Sequence, residues 1–229
     1  MPHSEPHRLP SDHVFADRRA AGRHLGRLVS DVVPDTRDVV VLGLARGGVP
    51  VAREVADTLG ADLDTLVVRK IGAPGHSEFA MGAITHGGHV VINDDVPRRL
   101  GVGPDQFDDA VARERRILDE RLALYRAGRE PLSVTGRVVI LVDDGLATGS
   151  SMSVAIHAVR AWSASRVLVA VPTAPADATD AMSAAGADEV IVVVMPSPFH
   201  AVGQSYSDFR QVSDEEVVAA LGHRPPPAG

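Results

Sequence analysis

The sequence has no cysteine, a single lysine and few aromatic residues. Without cysteine, the chain can form neither disulfides nor cysteine-based metal sites, and it offers no thiol nucleophile. Aromatic residues make up only 3% of the chain, so valine, alanine and leucine must fill the core. No apolar run approaches the roughly 20 residues that a membrane-spanning helix needs. The 229 residues, 45% of them hydrophobic, are enough for one or two domains with their own core.

Acidic residues outnumber basic ones by 30 to 23, and the formal net charge is -7. This balance argues against a broad surface for nucleic acid. The first twelve residues are polar and lack the apolar segment of a signal peptide, so we expect residues 1–12 to be disordered. The proline-rich end, 223–229, is expected to be a loose tail. A cytoplasmic protein that binds neither membranes nor nucleic acid is the resulting expectation.

Apolar runs typical of strands alternate with segments of helical spacing along most of the chain. This order predicts an α/β fold with a doubly wound, mainly parallel sheet, in which ligands bind at the carboxyl ends of the strands. The predicted strands are 38–44, 63–69, 90–92, 138–142, 166–171 and 189–194. The predicted helices are 13–32, 51–59, 104–127, 152–162, 174–185 and 214–221, and the glycine-rich stretch 70–88 is expected to be irregular.

The stretch 138–152 carries the sharpest chemical signal. A buried strand, 138–142, is followed by Asp143 and Asp144, by a loop containing Gly145 and Gly149, and then by helical spacing from Met152 onward. A loop that joins a strand end to a helix start offers free backbone N–H groups and the positive end of the helix dipole to an anion. The alternative, a hairpin turn at Asp144-Gly145, is disfavoured because the following residues show no strand alternation.

This stretch resembles the ribose-phosphate loop of the type I phosphoribosyltransferases, in which an apolar strand and two acids precede two variable residues and then A-T-G-x-[S/T]. The resemblance covers about residues 38–195 and implies one domain, 13–222, with a small hood formed by the flanks 13–37 and 196–222. It implies that Asp143 and Asp144 hold ribose hydroxyls and, directly or through water, Mg²⁺. It also implies a 5-phosphate site made by Ala147, Thr148, Gly149, Ser150 and Ser151.

Two further loops follow predicted strands and should converge on the same crevice. Arg46, Gly47 and Gly48 combine a cation with glycines that allow close approach, and they resemble the pyrophosphate loop of the family. A glycine-rich turn with a surface arginine is the alternative. Arg69 and Lys70 open a segment that resembles the flexible loop of the family, and the resemblance implies that both cations hold pyrophosphate charge. Lys70 is the only lysine, which indicates either a site for a compact ammonium or chance.

On the acceptor side, the resemblance places the hood at 196–209. Phe199 or Tyr206 could stack on a flat base and Asp208 could accept a base N–H, although simple packing explains each residue equally well. Members of the family that use 6-oxopurines carry an aspartate where this sequence has Ala147, so the base is not named. The resemblance implies a Mg²⁺-dependent transfer from 5-phosphoribosyl pyrophosphate (PRPP) to a nitrogenous base, often in a homodimer. A non-catalytic regulator that senses nucleotides on the same fold is the second hypothesis.

Overall fold

The computed structural model describes residues 10–92, 95–126 and 129–222. Most of the expected disordered N-terminus (1–9) and the whole expected tail (223–229) lie outside the described residues. The described residues form eight strands: β1 Val39–Leu44, β2 Asp62–Leu66, β3 Val68–Ala73, β4 His76–Thr85, β5 Val90–Ile92, β6 Val138–Val142, β7 Arg166–Thr173 and β8 Glu189–Val194. They form seven α-helices: α1 Arg18–Val32, α2 Gly48–Leu59, α3 Asp95–Leu100, α4 Pro104–Arg126, α5 Ser150–Ala161, α6 Ala178–Ala184 and α7 Asp214–Leu221.

Five parallel strands form the main sheet, in the order β2-β1-β6-β7-β8. β1 is buried along its whole length, as expected for a strand that is covered on both faces. One side of the sheet packs against α1 and α2, and the other packs against α5 and α6. The α/β class and the mainly parallel sheet predicted from the alternation are confirmed. The strand ends that carry the candidate site lie side by side, because β1 and β6 are direct neighbours.

A second, antiparallel sheet has the order β3-β4-β5 and packs with α4 and α7 around its own apolar core. The prediction of a single strand at 63–69 was therefore wrong, because β2 ends at Leu66 and the chain enters the second sheet at Val68. The expectation of an irregular stretch at 70–88 was also wrong, since most of it lies in β3 and β4. The glycines misled the prediction because β3 and β4 pair with shifts of register at Ile71 and Gly72.

The N-terminal and C-terminal flanks are joined by backbone hydrogen bonds, among them one from the Phe15 N–H to the Ser205 carbonyl, at 2.8 Å. Residues 13–17 are not helical as predicted, because Asp17 caps the helix that begins at Arg18. α1 then packs closely on α2 through Gly22 and Gly26, where a Cβ would meet α2 at 2.8 and 2.6 Å. The accessory part of the fold thus extends beyond the predicted hood, since the second sheet and α4 join α7, which lies within the predicted flank 196–222.

Other boundaries moved by a few residues. β7 runs on to Thr173 and α6 begins only at Ala178, because the segment between them passes Pro175. α3 was not predicted, and the final residue of the predicted helix 104–127 lies outside the described residues. In the described part of the chain, no helix has both the length and the apolar character required to cross a membrane.

Candidate functional site

The acid pair lies at the carboxyl end of β6 and is in contact with the turn that follows β1. A Cβ built on Gly47 would lie 2.7 Å from Cγ of Asp144, and one on Gly48 would lie 2.8 Å from Cα of Asp143. Only glycine fits these two positions without displacing the acid pair. The structure therefore brings together Asp143, Asp144 and the Arg46 turn, which are separated by almost a hundred residues in sequence.

Burial dominates the electrostatics of the two acids. It raises the pKa of Asp143 well above its usual value, and the neighbouring Asp144 carboxylate raises it further. Burial also raises the pKa of Asp144, against the opposing effect of the Arg18 guanidinium. The Asp143 Oδ1 atom accepts the Asp144 N–H at 2.9 Å. Two crowded carboxylates with a single compensating cation form an environment that favours a further positive charge.

The donor set of the acid pair fits Mg²⁺. Carboxylate oxygens are hard ligands, and proteins usually hold Mg²⁺ by one or two carboxylates while phosphates and water complete the shell. No cluster of three or more metal-ligating side chains occurs in residues 10–92, 95–126 and 129–222. The protein would therefore contribute Asp143 and Asp144, and a phosphorylated ligand would contribute the remaining oxygens.

The loop 145–149 has the features of an anion site. Ala147 and Thr148 are exposed, and Gly149 adopts φ +69°, which turns the chain into α5 at Ser150. Within the described part of the chain, no backbone carbonyl accepts from the N–H groups of Ala147, Thr148 or Gly149. The Thr148 and Ser150 hydroxyls lie 2.6 Å apart, and Ser151 continues the first turn of α5. Free amides, hydroxyls and the start of a twelve-residue helix suit a phosphate.

Packing beneath the loop fixes its shape. The Leu146 N–H donates to the Thr173 carbonyl at 2.9 Å, which ties the loop to the end of β7. Gly145 contacts Val202 and Thr173 so closely that a Cβ there would lie 2.5 and 2.8 Å from their methyl groups. The Thr173 hydroxyl in turn lies 2.8 Å from the buried Ser205 hydroxyl. The loop is thus pre-organised by the C-terminal segment.

Arg46 is held beside α7. Its guanidinium lies 3.8 Å from the Asp214 carboxylate, which also accepts a hydrogen bond from the Tyr125 hydroxyl at 2.5 Å. Burial and this hydrogen bond raise the pKa of Tyr125 to about 12. The peptide bond between Ala45 and Arg46 is cis. Arg46 remains partly exposed at the crevice, where it can meet an anion.

Arg69 and Lys70 have different surroundings in the structure. Arg69 donates through Nη2 to Glu114 of α4 at 2.6 Å, with only 25% of its side chain exposed. Lys70, the next residue of β3, is exposed and lines a groove of about 390 Å³ together with Ser150 and Ser151. Successive strand residues face opposite sides of a sheet. Arg69 therefore lies against α4 and Lys70 lies beside the start of α5, and the implied joint hold of both cations on one pyrophosphate stays a prediction.

The three residues suggested for the base lie in different surroundings. Tyr206 is buried: its ring stacks on Phe209 at 4.9 Å, and its hydroxyl donates to the Asp144 carbonyl at 2.5 Å. Burial also raises its pKa, so the phenol stays a hydrogen-bond donor. This placement leaves Tyr206 as a support for the acid pair and not as a stacking surface, contrary to the suggestion. Phe199 is half-buried beyond β8, and Asp208 is exposed and pairs with Arg210 at 3.8 Å.

Sequence reasoning missed the residue that contacts the acid pair most directly. Arg18 donates from Nε to the Asp144 Oδ2 atom at 2.8 Å, and its Nη2 atom lies 2.8 Å from the same oxygen as an ion pair. It also missed Glu114 and Asp214, the carboxylates that engage Arg69 and Arg46. No local signal marks these three residues, because each occupies a helix position where a charged side chain is ordinary. Only the tertiary fold reveals what they contact.

Comparisons with known proteins cover most of the chain. A family model described as a phosphoribosyl transferase domain matches residues 15–97, which include the Arg46 turn but not the acid pair. A Mycobacterium tuberculosis H37Rv protein named as a candidate phosphoribosyl transferase is 47% identical over 209 residues, 91% of this chain and 46% of that protein. The protein of strain CDC 1551 matches equally well. The chain thus spans about half the length of these curated relatives.

A solved structure matches nearly end to end. The crystal structure of TT1426 from Thermus thermophilus is similar, with a TM-score of 0.78 and 43% sequence identity. The match covers 91% of this chain and 97% of that one. The arrangement of two sheets described above is therefore similar to that of a protein known from experiment.

Proposed function

Because this chain belongs to the phosphoribosyl transferase domain family, we propose that it transfers the 5-phosphoribosyl group of PRPP to a nitrogenous base and releases pyrophosphate. The contact between Gly47 and Asp144 supports this proposal most strongly, because it sets a cationic turn directly against an acid pair. The anion loop 147–151 follows the same pair. PRPP carries a 5-phosphate, ribose hydroxyls and a pyrophosphate, and the crevice offers one group of residues for each part.

A different group of residues would bind each part of PRPP. The amides and hydroxyls of the loop 147–151 hold the 5-phosphate, and Asp143 and Asp144 accept hydrogen bonds from the ribose hydroxyls. Arg46 and the backbone of Gly47 and Gly48 bind the pyrophosphate. Lys70, which lines the groove beside Ser150 and Ser151, adds a cation at the phosphate loop.

In the reaction, a ring nitrogen of the base forms a bond to C1 of the ribose as the bond from C1 to the pyrophosphate oxygen breaks. Both electrons of the breaking bond leave with pyrophosphate, and the nitrogen loses its proton to solvent. Mg²⁺, held by Asp143 and Asp144, would neutralise charge on the pyrophosphate. The protein contributes positioning and charge stabilisation, so no covalent intermediate with the protein is needed.

Two measurements test the proposal. Calorimetric titration of the protein with PRPP in the presence of Mg²⁺ should show saturable binding, and release of pyrophosphate should occur with at least one base of a purine and pyrimidine panel. The Asp144→Asn variant should bind PRPP more weakly, though still measurably, and should lose most of the pyrophosphate release while keeping the far-ultraviolet circular dichroism of the wild type. The matched control is Asp180→Asn, an exposed acid on α6, which should change neither signal.

A second candidate function is a regulator that binds PRPP or a nucleotide without turnover. The ion pair of Arg69 with Glu114 favours it, because this pair engages a cation that the family resemblance assigns to the pyrophosphate. Saturable binding of PRPP with no pyrophosphate release across the whole base panel would support the regulator and overturn the transferase.

A further inference from the structure

Arg18 reaches from the first turn of α1 to the acid pair and is held on several sides. Its Nε and Nη2 atoms both lie 2.8 Å from the Asp144 Oδ2 atom, and Nη1 donates to the Arg210 carbonyl at 2.8 Å. The guanidinium carbon lies 4.1 Å above the centre of the Phe209 ring. Only 11% of the Arg18 side chain and 14% of the Asp144 side chain are exposed.

This geometry constrains the orientation of one carboxylate. Among the described residues, Arg18 is the only side chain that donates a hydrogen bond to the Asp144 carboxylate. Its Nε and Nη2 atoms both contact Oδ2, and within the described part of the chain no side chain donates a hydrogen bond to Oδ1. The same Oδ2 atom lies against Gly47, where an added Cβ would collide with it, so only glycine leaves room for the carboxylate in this position. The backbone of Asp144 is fixed separately, by the Tyr206 hydroxyl.

A carboxylate fixed in this way is pre-organised for a ligand. An aspartate that rotates freely loses conformational entropy when a ligand orders it. A side chain that already holds one carboxylate oxygen lowers this entropic cost of binding. The guanidinium is planar, always charged and clamped by an aromatic ring, so it is better suited to this task than a flexible ammonium. Because its clamps come from Phe209 and Arg210, the fixing also depends on the C-terminal flank being docked against α1.

We propose that Arg18 is a positioning residue of the ligand site, which orients the Asp144 carboxylate toward the ribose hydroxyls and Mg²⁺. This orientation depends on the docking of the two chain flanks against each other. The inference rests on the proposed function, because it assumes that Asp144 meets PRPP. Arg18 itself need not touch the ligand, and its effect should therefore pass entirely through Asp144.

The test is a double-mutant cycle on the affinity for PRPP in the presence of Mg²⁺, measured by calorimetric titration of the full chain. Arg18→Met, which removes the guanidinium above Phe209 but keeps an unbranched apolar side chain, should weaken binding by about 10- to 100-fold. Arg18→Lys should restore part of the loss. Combining Arg18→Met with Asp144→Asn should weaken binding no further than Asp144→Asn alone, whereas a general loss of packing would add to it. Arg19→Met, on the exposed neighbouring residue, is the control.

The outcomes separate the inference from the function. If Arg18→Met binds PRPP as tightly as the wild type, or if the two losses add, Arg18 does not act through Asp144 and the inference is overturned. If the wild type binds PRPP but releases no pyrophosphate with any base, the transferase fails and the positioning role stands. If the wild type binds no PRPP, both are overturned. Melting temperatures of all variants show whether each is folded at the temperature of the titration.

Discussion

Gly47 and Asp144 are in contact across the carboxyl ends of two neighbouring strands, β1 and β6, with no room for a methyl group between them. On its other side, the Asp144 carboxylate meets Arg18. The second acid is therefore enclosed by a glycine, an arginine and its own neighbour Asp143. This enclosure makes the site sensitive to substitutions that would be harmless elsewhere on the surface.

Gly47→Ala is expected to impair the site without unfolding the protein. Gly47 has φ -60° and ψ -36°, a conformation that alanine adopts freely, so the backbone is not strained. The new Cβ would lie 2.7 Å from Cγ of Asp144 and must displace the carboxylate. A displacement of about 1 Å in a reacting group lowers activity by about 100-fold. Pyrophosphate release and PRPP affinity, both measured with Mg²⁺, check this expectation.

Gly103→Ala is the matched control, because a Cβ there meets nothing closer than the Gln106 side chain at 4.0 Å. The control should keep the affinity and the melting temperature of the wild type. A Gly47→Ala protein that binds PRPP normally would mean that the carboxylate of Asp144 is free to move. The close contact of Asp144 with Gly47 would then not be needed for PRPP binding.

Arg69 and Lys70 should respond differently to the same substitution. Arg69→Met removes the partner of Glu114 and leaves a buried carboxylate without it, which should lower the free energy of unfolding by about 1–3 kcal/mol. Lys70→Met removes an exposed charge beside Ser150 and Ser151, so stability should stay the same while PRPP affinity falls. Urea unfolding and calorimetric titration of both variants measure the two effects.

Glu114→Gln removes the charge of the other partner in the same ion pair. Like Arg69→Met, it should lower the free energy of unfolding. Glu120→Gln, an exposed acid on the same helix, should leave stability unchanged. If Lys70→Met and Arg69→Met instead weaken ligand binding equally and leave stability intact, both cations reach the ligand in solution, as the sequence alone suggested.

His86 should make the protein less stable under mildly acidic conditions. Burial lowers the pKa of His86, the Arg126 guanidinium lowers it further, and Asp64 and Asp119 oppose the shift only in part. With a folded pKa below the unfolded value of about 6.5, the unfolded chain binds more protons at this position. Stability should therefore fall as pH drops below about 6.5, until the folded pKa is passed.

The measurement is the free energy of unfolding in urea between pH 5 and 7.5 for the wild type and for His86→Gln. The variant should lose less stability over this range, since glutamine does not titrate. His200→Gln, at an exposed position, should keep the slope of the wild type. An unchanged slope in His86→Gln would show that the imidazole titrates alike in the folded and unfolded chain.

The main sheet and the acid loop were predictable because their signals are local. The apolar run 138–142 and the helical period after it are properties of a few consecutive residues, and the topology of a parallel sheet then brings the Arg46 turn to the same edge. The second sheet was missed because its strands contain glycines and register shifts, which mimic a loop in the sequence.

The partners of the site residues were not predictable for a different reason. Arg18 lies 126 residues from Asp144, and Glu114 lies 45 residues from Arg69. In a chain with 22 arginines, nothing local marks the one that contacts the acid pair. The burial of Tyr206 was not predictable either, because an aromatic ring in an irregular segment can face a ligand or the core, and the sequence does not distinguish the two.

Tyr206→Phe distinguishes these two roles by experiment, since the change keeps the ring and removes only the hydroxyl. If Tyr206 supports the acid pair, the Asp144 carbonyl loses its donor, and the free energy of unfolding should fall by about 1–3 kcal/mol. PRPP affinity should fall as well, because the backbone of Asp144 is no longer held. If the ring instead stacked on a base, phenylalanine would preserve stability, PRPP affinity and the KM for the base.

Phe199→Leu is the comparison, because it alters a half-buried ring that has no such bond and should leave PRPP affinity unchanged. We expect Tyr206→Phe to lose stability and PRPP affinity together, since the buried hydroxyl and the acid pair form one continuous structure.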